Sequence, residues 1–125
     1  MKSIHPPSTS RPKGHYSPAI VHNGFVFVSG QISTDDKGQA ILDSLEEQTM
    51  RCLEKIKVIL TEANSSIDQI VKVNIFISNM DDWGRVNAVY AEFFGEHRPA
   101  RIIVPCGPLH YGCSIEIDCV AAVNG

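Results

Sequence analysis

Two segments of the chain alternate in side-chain type, and this alternation limits the folds open to it. In the last segment, Ile115, Ile117, Cys119, Ala121 and Val123 alternate with Ser114, Glu116, Asp118, Val120 and Ala122. An earlier segment alternates in the same way from Val71 to Ser78. Because successive side chains of a strand point to opposite faces of a sheet, both segments are predicted to be strands with one buried face.

Two further segments have helical spacing. Ser44 and Glu47 form a capping box, in which the Ser44 side chain can accept a hydrogen bond from the amide of Glu47 and the Glu47 carboxylate can reach back. Apolar residues then recur at helical intervals, which predicts an amphipathic helix over about 44–64. A second helix is predicted with Asp81 as its N-cap and Gly95 at its end.

The remaining segments complete the order of elements. Asn23-Gly24 lies between two apolar runs and predicts a hairpin, because both residues tolerate a positive φ. Residues 1–15 are predicted to be an extended arm, and residues 100–104 another extended stretch. The predicted order is strand-strand-helix-strand-helix-strand-strand. Packing two helices on one face of a mixed sheet gives a two-layer α+β fold, whose other face is solvated or covered by a partner.

The length and composition narrow the possible classes. A chain of 125 residues fits a single domain over 1–125. The formal net charge is −3 with scattered cationic residues, so binding to nucleic acid is not expected. No apolar run approaches the ~20 residues of a membrane span. The first residues lack the apolar stretch of a signal peptide, so a cytoplasmic location is expected.

The residues typical of metal and cofactor sites lack the required spacing. The five histidines form no HxH or HExxH pattern, and the four cysteines form no CxxC pair. The glycines are dispersed, with no loop that could cradle phosphates. We therefore expect no metal, no redox or group-transfer cofactor, and cysteines that remain thiols.

Several short motifs, in order along nearly the whole chain, resemble the Rid (reactive intermediate deaminase) family, also known as L-PSP or "endoribonuclease" proteins. They are Gly14-His15-Tyr16-Ser17, Val28-Ser29-Gly30-Gln31-Ile32, the helix with Gln48, Val71-Lys72-Val73, Val86-Asn87-Ala88-Val89-Tyr90, Phe93-Phe94, Pro99-Ala100-Arg101 and Ile115-Glu116-Ile117. The resemblance implies a homotrimer of chorismate-mutase-like subunits with a cleft at each interface. It also implies hydrolysis of enamines and imines, such as 2-aminoacrylate or 2-iminobutyrate, to 2-oxo acids and ammonia.

The resemblance also implies roles for individual residues. Arg101 matches the arginine that binds the substrate carboxylate, and Glu116 the carboxylate that positions or activates water. Tyr16 matches an aromatic wall of the cleft, and Gly30 a backbone contact with the substrate. Asn87 matches a recurrent asparagine for which we expect an architectural role.

The chain departs from the family pattern at positions that bear on substrate choice. His15 stands where the family usually has Pro, Ile102 where it has a small residue, and Ile103 where it often has Cys. Cys106 lies three residues further on and is not expected to take over the role of that cysteine. These departures affect the expected specificity more than the expected chemistry.

From the residues alone, other interpretations stay open. Arg101 could form a weak surface ion pair, Glu116 could be a solvated carboxylate, and Tyr16 could simply pack. A guanidinium suits bidentate binding of a carboxylate, and a positioned carboxylate can act as a general base, so both fit imine hydrolysis. The alternatives to a deaminase are a trimeric regulatory module that binds small carboxylates and, less favoured by the charge, an RNA-cleaving protein.

Overall fold

The computed structural model describes residues 1–125 and contains one six-stranded sheet and two α-helices. The strands are β1 (Lys2–Ile4), β2 (Ala19–His22), β3 (Phe25–Ile32), β4 (Ile70–Ile77), β5 (Ala100–Pro105) and β6 (Ile115–Ala122). The helices are α1 (Leu45–Glu62) and α2 (Trp83–Phe94). Short 3₁₀ helices occupy Ile67–Gln69, Met80–Asp82 and His110–Gly112. None of the helices has both the length and the apolar character required to cross a membrane.

The sheet has the order β1-β2-β3-β6-β4-β5. The pair of β4 and β5 is parallel and is connected through α2, whereas the other neighbouring strands are antiparallel. This is the mixed α+β sheet that the sequence predicts. The C-terminal strand β6 lies between β3 and β4, so residues far apart in the sequence meet there.

One hydrophobic core lies between the sheet and the helices. The sheet contributes alternate residues such as Val26, Ile75 and Ile117, and α1 contributes residues such as Ile56. Helix α2 reaches the same core through residues including Tyr90. The two helices therefore cover the same face. The opposite face leaves apolar side chains 41–48% exposed, at Phe25, Phe27, Val71 and Ile102.

Two local predictions are confirmed. Asn23 and Gly24 both have positive φ values, 52° and 81°, and connect β2 to β3 as a two-residue hairpin loop. The side chain of Ser44 accepts a hydrogen bond from the amide of Glu47 at 3.1 Å and caps α1. The reciprocal bond of the capping box, from the Ser44 amide to the Glu47 carboxylate, is not formed.

Three local predictions were wrong in detail. The predicted arm contains β1, which pairs with β2 and adds a strand to the sheet. The cap before α2 is Asn79, whose side chain accepts from the amide of Asp81 and starts a 3₁₀ turn, so Asp81 is not an N-cap. A register shift between Ile70 and Lys72 buries Ile70 and leaves Val71 exposed.

Candidate functional site

Arg101 lies on β5 and is held by side chains of α2. One guanidinium nitrogen donates a hydrogen bond to Oδ1 of Asn87 at 2.9 Å. The guanidinium carbon lies 4.7 Å from the ring centre of Tyr90 and 5.6 Å from that of Trp83. The ion pairs in the chain involve Arg51 and Arg85, so Arg101 has no carboxylate partner of its own. Its other N–H groups are therefore available to an external anion.

The three residues that hold Arg101 share one face of α2. Trp83 and Asn87 are four residues apart and Asn87 and Tyr90 three apart, which places neighbouring side chains together on a helix. Burial raises the pKa of the Tyr90 hydroxyl to about 12, and the charge of Arg101 opposes this shift only in part. Tyr90 is thus a neutral ring against which the guanidinium stacks.

Glu116 lies on β6, on the face of the sheet that the helices leave uncovered. Its neighbours in the sequence, Ile115 and Ile117, are fully buried in the core, so Glu116 points the other way. Across the sheet it is paired with Ile32 of β3 and Phe76 of β4. A carboxylate between two apolar side chains loses water when another surface covers it.

Gly30 lies directly against Glu116. The register of β3 against β6 shifts between Val28 and Gln31, so Ser29 and Gly30 form a bulge. A Cβ placed on Gly30 would overlap the Oε2 atom of Glu116 and lie 2.9 Å from its Cδ. Glycine thus lets the backbone of β3 approach the carboxylate closely.

The segment that carries Tyr16 is fixed to the same bulge. The Ser29 hydroxyl donates to the carbonyl of Ser17 at 2.7 Å, and the Ser29 amide donates to the carbonyl of Pro18 at 2.9 Å. Tyr16 is 55% exposed and lines, together with Gly30, a cleft of about 610 Å³ between the N-terminal segment, the end of β3 and α1. Neither Arg101 nor Glu116 lines this cleft.

Within one chain, the structure keeps Arg101 away from Glu116. Arg101 is paired with Val73, whose side chain faces the helices, whereas Glu116 is paired with Phe76 on the uncovered face. Strand β4 separates their strands, so they are about 10 Å apart across the sheet and about as far along it. A site that contains both Arg101 and Glu116 is therefore not formed inside a single chain.

Two other polar groups near Glu116 have structural roles. Asp118, on the same face, accepts a hydrogen bond from the Asn74 side chain at 2.7 Å. The buried side chain of Gln48 donates to the carbonyl of Asp43 and accepts from the amide of Ser114, next to the start of β6. Gln48 thus ties the strand that carries Glu116 to α1.

The sequence interpretation missed part of this site. An architectural role was expected for Asn87. Its side chain accepts a hydrogen bond from Arg101, so the group that it orients is the Arg101 guanidinium. Trp83 was not singled out at all, although the spacing of Trp83, Asn87 and Tyr90 could have indicated a shared face of α2. No group of three or more His, Cys, Asp or Glu side chains is arranged so that it could hold a metal ion.

Comparison with known proteins agrees with this architecture. The model of the family described as "Endoribonuclease L-PSP" matches residues 8–123. A RutC family protein of Pyrococcus abyssi is 40% identical over 112 residues, which cover 89% of this chain and 88% of that protein. The mitochondrial protein mmf1 of Schizosaccharomyces pombe is 42% identical over 129 residues, covering 94% of this chain and 79% of that protein.

A solved structure supports the same assignment. The crystal structure of Escherichia coli TdcF with bound serine superposes with a TM-score of 0.91 at 30% identity, and the match covers 99% of this chain and 100% of that chain. The family model, the curated relatives and this fold all agree with the motifs in the sequence. The chain therefore belongs to the L-PSP family, the Rid family that its motifs resemble.

Proposed function

We propose that the chain is a deaminase that hydrolyses reactive enamines and imines, such as 2-aminoacrylate or 2-iminobutyrate, to 2-oxo acids and ammonia. The corresponding enzyme type is a 2-iminobutanoate/2-iminopropanoate deaminase. The proposal treats residues 1–125 as a single Rid-like domain that works without a cofactor in the cytoplasm, as a homotrimer of chorismate-mutase-like subunits.

The observation that carries the proposal is the state of Arg101. Its guanidinium is oriented by Asn87 and stacked on Tyr90, yet it has no carboxylate partner within the chain. A surface arginine in a weak ion pair would look different, because its partner would be present. An oriented guanidinium with unused N–H groups is suited to bidentate binding of a substrate carboxylate.

Glu116 is proposed to activate the water. The carboxylate accepts a proton from a water molecule as the oxygen attacks the imine carbon, and the resulting carbinolamine then collapses. The C–N bond breaks, nitrogen leaves as ammonia after protonation, and the carbon retains the oxygen as a ketone. The backbone of Gly30 lies beside the carboxylate. Tyr16, on the neighbouring N-terminal segment, is proposed to form one wall of the substrate cleft.

The separation of Arg101 and Glu116 supports a site shared between chains. A small 2-imino acid cannot bridge residues on opposite faces of one sheet. The exposed apolar residues of the uncovered face, such as Phe27, favour its burial against a neighbouring subunit. In the proposed trimer, Arg101 of one chain and Glu116 of the next line the same cleft.

A second candidate function is that of a regulatory module that binds small carboxylates. The TdcF structure contains bound serine, a small amino acid with a carboxylate. Arg101 would serve binding and catalysis equally, so it does not separate the two functions. Glu116 does, because only hydrolysis requires a group that accepts a proton from water.

The test is release of ammonia from 2-aminoacrylate generated in situ by a PLP-dependent enzyme. We expect the wild-type protein to accelerate this release and Arg101→Ala to lose the acceleration. An Arg85→Ala variant is the matched control, since Arg85 is an exposed arginine paired with Glu46. Wild-type protein that leaves the spontaneous rate unchanged while still binding 2-oxobutyrate would favour the regulatory module. Cleavage of added RNA would instead support the activity in the family's description.

A further inference from the structure

Lys55 occupies an unusual position in the cleft beside Tyr16. It lies on α1 with its side chain partly buried, and its Nζ atom donates to the carbonyl of Ile32 at 2.8 Å and to Oγ1 of Thr34 at 2.6 Å. Lys55, Ile32 and Thr34 all line the same cleft of about 610 Å³. The amine is therefore fixed in place at the wall of a cavity large enough for a small molecule.

The charges around Lys55 leave it without a counter-ion. Arg51, one turn away on α1, is neutralised by two hydrogen bonds to Asp43, whereas no carboxylate lies within ion-pair distance of Lys55. Asp35 also lines the cleft, but its Oδ1 atom accepts from the backbone amides of Lys37 and Gln39. Burial is the main influence that lowers the pKa of Lys55, and Arg51 acts in the same direction. Cys52, Cys113 and Asp35 oppose this shift.

We propose that Lys55 is a nucleophilic amine that captures small aldehydes or 2-oxo acids as imines in this cleft. The contacts of Nζ fit a neutral amine, which has two N–H groups and one lone pair. Ile32 and Thr34 supply two acceptors for the two N–H groups, so the lone pair stays available for an electrophile. Lysines that form imines in enzymes are likewise desolvated or close to another cation.

The reaction balances without any oxidant or reductant. The Nζ lone pair forms an N–C bond with the carbonyl carbon, and a proton transfer gives a neutral carbinolamine. The C–O bond then breaks, and the oxygen leaves as water with both protons of the amine, which leaves a C=N bond on Lys55. The Thr34 hydroxyl, which accepts from Nζ in the free amine, can reverse its role and donate to the imine nitrogen.

The Lys55 site shares Tyr16 and Gly30 with the proposed deaminase site, but the residues proposed to react differ. Lys55 and Thr34 line a cleft to which neither Arg101 nor Glu116 contributes. Imine capture can therefore occur in a protein that fails to hydrolyse 2-aminoacrylate, and the reverse also holds. Repeating the labelling below on Arg101→Ala separates the two proposals, because that variant should be labelled like the wild type.

The experiment traps the imine by reduction. The intact protein is incubated with pyruvate and sodium cyanoborohydride at neutral pH, and the adducts are assigned by peptide mass spectrometry. The other five lysines, Lys2, Lys13, Lys37, Lys57 and Lys72, are internal controls. We expect Lys55 to be labelled at least about tenfold faster than each of them, since a desolvated amine has a larger neutral fraction. Equal or faster labelling of the other lysines would overturn the proposal.

Two variants sharpen this result. Lys55→Arg keeps a basic side chain of similar length but cannot form the imine, so the main lysine adduct should disappear. Lys57→Arg lies on the same helix with an exposed side chain and should leave the adduct at Lys55 unchanged. Undiminished total labelling of lysine side chains in Lys55→Arg, with the adduct on the α-amino group of Met1 counted separately, would contradict the proposal. If Lys55→Arg fails to fold, the distribution of adducts over the lysines of the wild type decides the question.

Discussion

The backbone of Gly30 lies so close to the Glu116 carboxylate that no other residue fits at position 30 without moving that side chain. The overlap falls on the end of a flexible side chain, so a substitution should shift Glu116 and leave the sheet intact. This relationship offers a way to displace the proposed base without changing its chemistry.

We predict that Gly30→Ala resembles Glu116→Gln in turnover. Both variants should lose about 10²–10⁴-fold in ammonia release, the usual contribution of a general base. Both should still bind 2-oxobutyrate in a calorimetric titration, because neither substitution changes the proposed contact between Arg101 and the carboxylate. Wild-type turnover in Glu116→Gln would remove Glu116 from the mechanism, and loss of binding together with turnover would favour the regulatory module.

Arg101→Lys tests the geometry of the guanidinium rather than its charge. The lysine cannot form two parallel hydrogen bonds to a carboxylate, so kcat/KM should fall roughly 10- to 100-fold, since a hydrogen bond to a charged group contributes ~1.5–3 kcal/mol. The only tryptophan, Trp83, lies 5.6 Å from the guanidinium and reports binding by its fluorescence. Arg85→Lys is the control. A wild-type kcat/KM in Arg101→Lys would mean that the carboxylate binds elsewhere.

The uncovered sheet face should form the interface between subunits. Phe27→Glu places a charge at a 47% exposed apolar position on that face and should dissociate the proposed trimer. Val58→Glu makes the same change at a 43% exposed position on α1 and should leave the trimer intact. Sedimentation equilibrium at micromolar concentration measures both. A wild-type protein that stays monomeric would contradict the shared site.

The stability of the protein should fall in acid as two ion pairs break. Hydrogen bonds from Arg51 lower the pKa of Asp43 from 3.8 to about 2, and those from Arg85 lower the pKa of Glu46 from 4.5 to about 2. Because both are depressed in the folded state, their contribution is present above the ordinary values and is lost as the pH falls towards 2. The free energy of unfolding, measured by urea denaturation, should therefore differ less between pH 6 and pH 2.5 in Asp43→Asn than in the wild type. An unchanged difference would assign the acid sensitivity to other groups.

The periodic segments of the sequence predicted most of the fold. Alternation identified β6 and most of β4, and the Asn23-Gly24 turn and the Ser44 cap are local signals that need no partner. The errors arose where the structure of a segment depends on the strand with which it pairs. Strand β1 exists only because β2 offers it hydrogen bonds, and Val71 is exposed because of a register shift that no pattern in β4 reveals.

The sequence names residues for the candidate site but does not reveal how they are arranged. Motifs pointed to Arg101, Glu116, Gly30 and Tyr16, yet the face that each side chain occupies follows from strand pairing. Parallel pairing with Val73 turns Arg101 towards α2, where Trp83 and Asn87 meet it. The environment of Lys55 likewise depends on the end of β3, which is distant in the sequence.

Arg101 of one chain is proposed to act together with Glu116 of another. The direct test is to co-assemble Arg101→Ala with Glu116→Gln, each inactive alone, and to measure ammonia release from the mixed oligomers. In a cyclic trimer with random mixing, about a quarter of the interfaces combine an intact Arg101 with an intact Glu116, so about a quarter of wild-type activity should return. Activity that remains at the level of the two parent variants would contradict a site shared between chains.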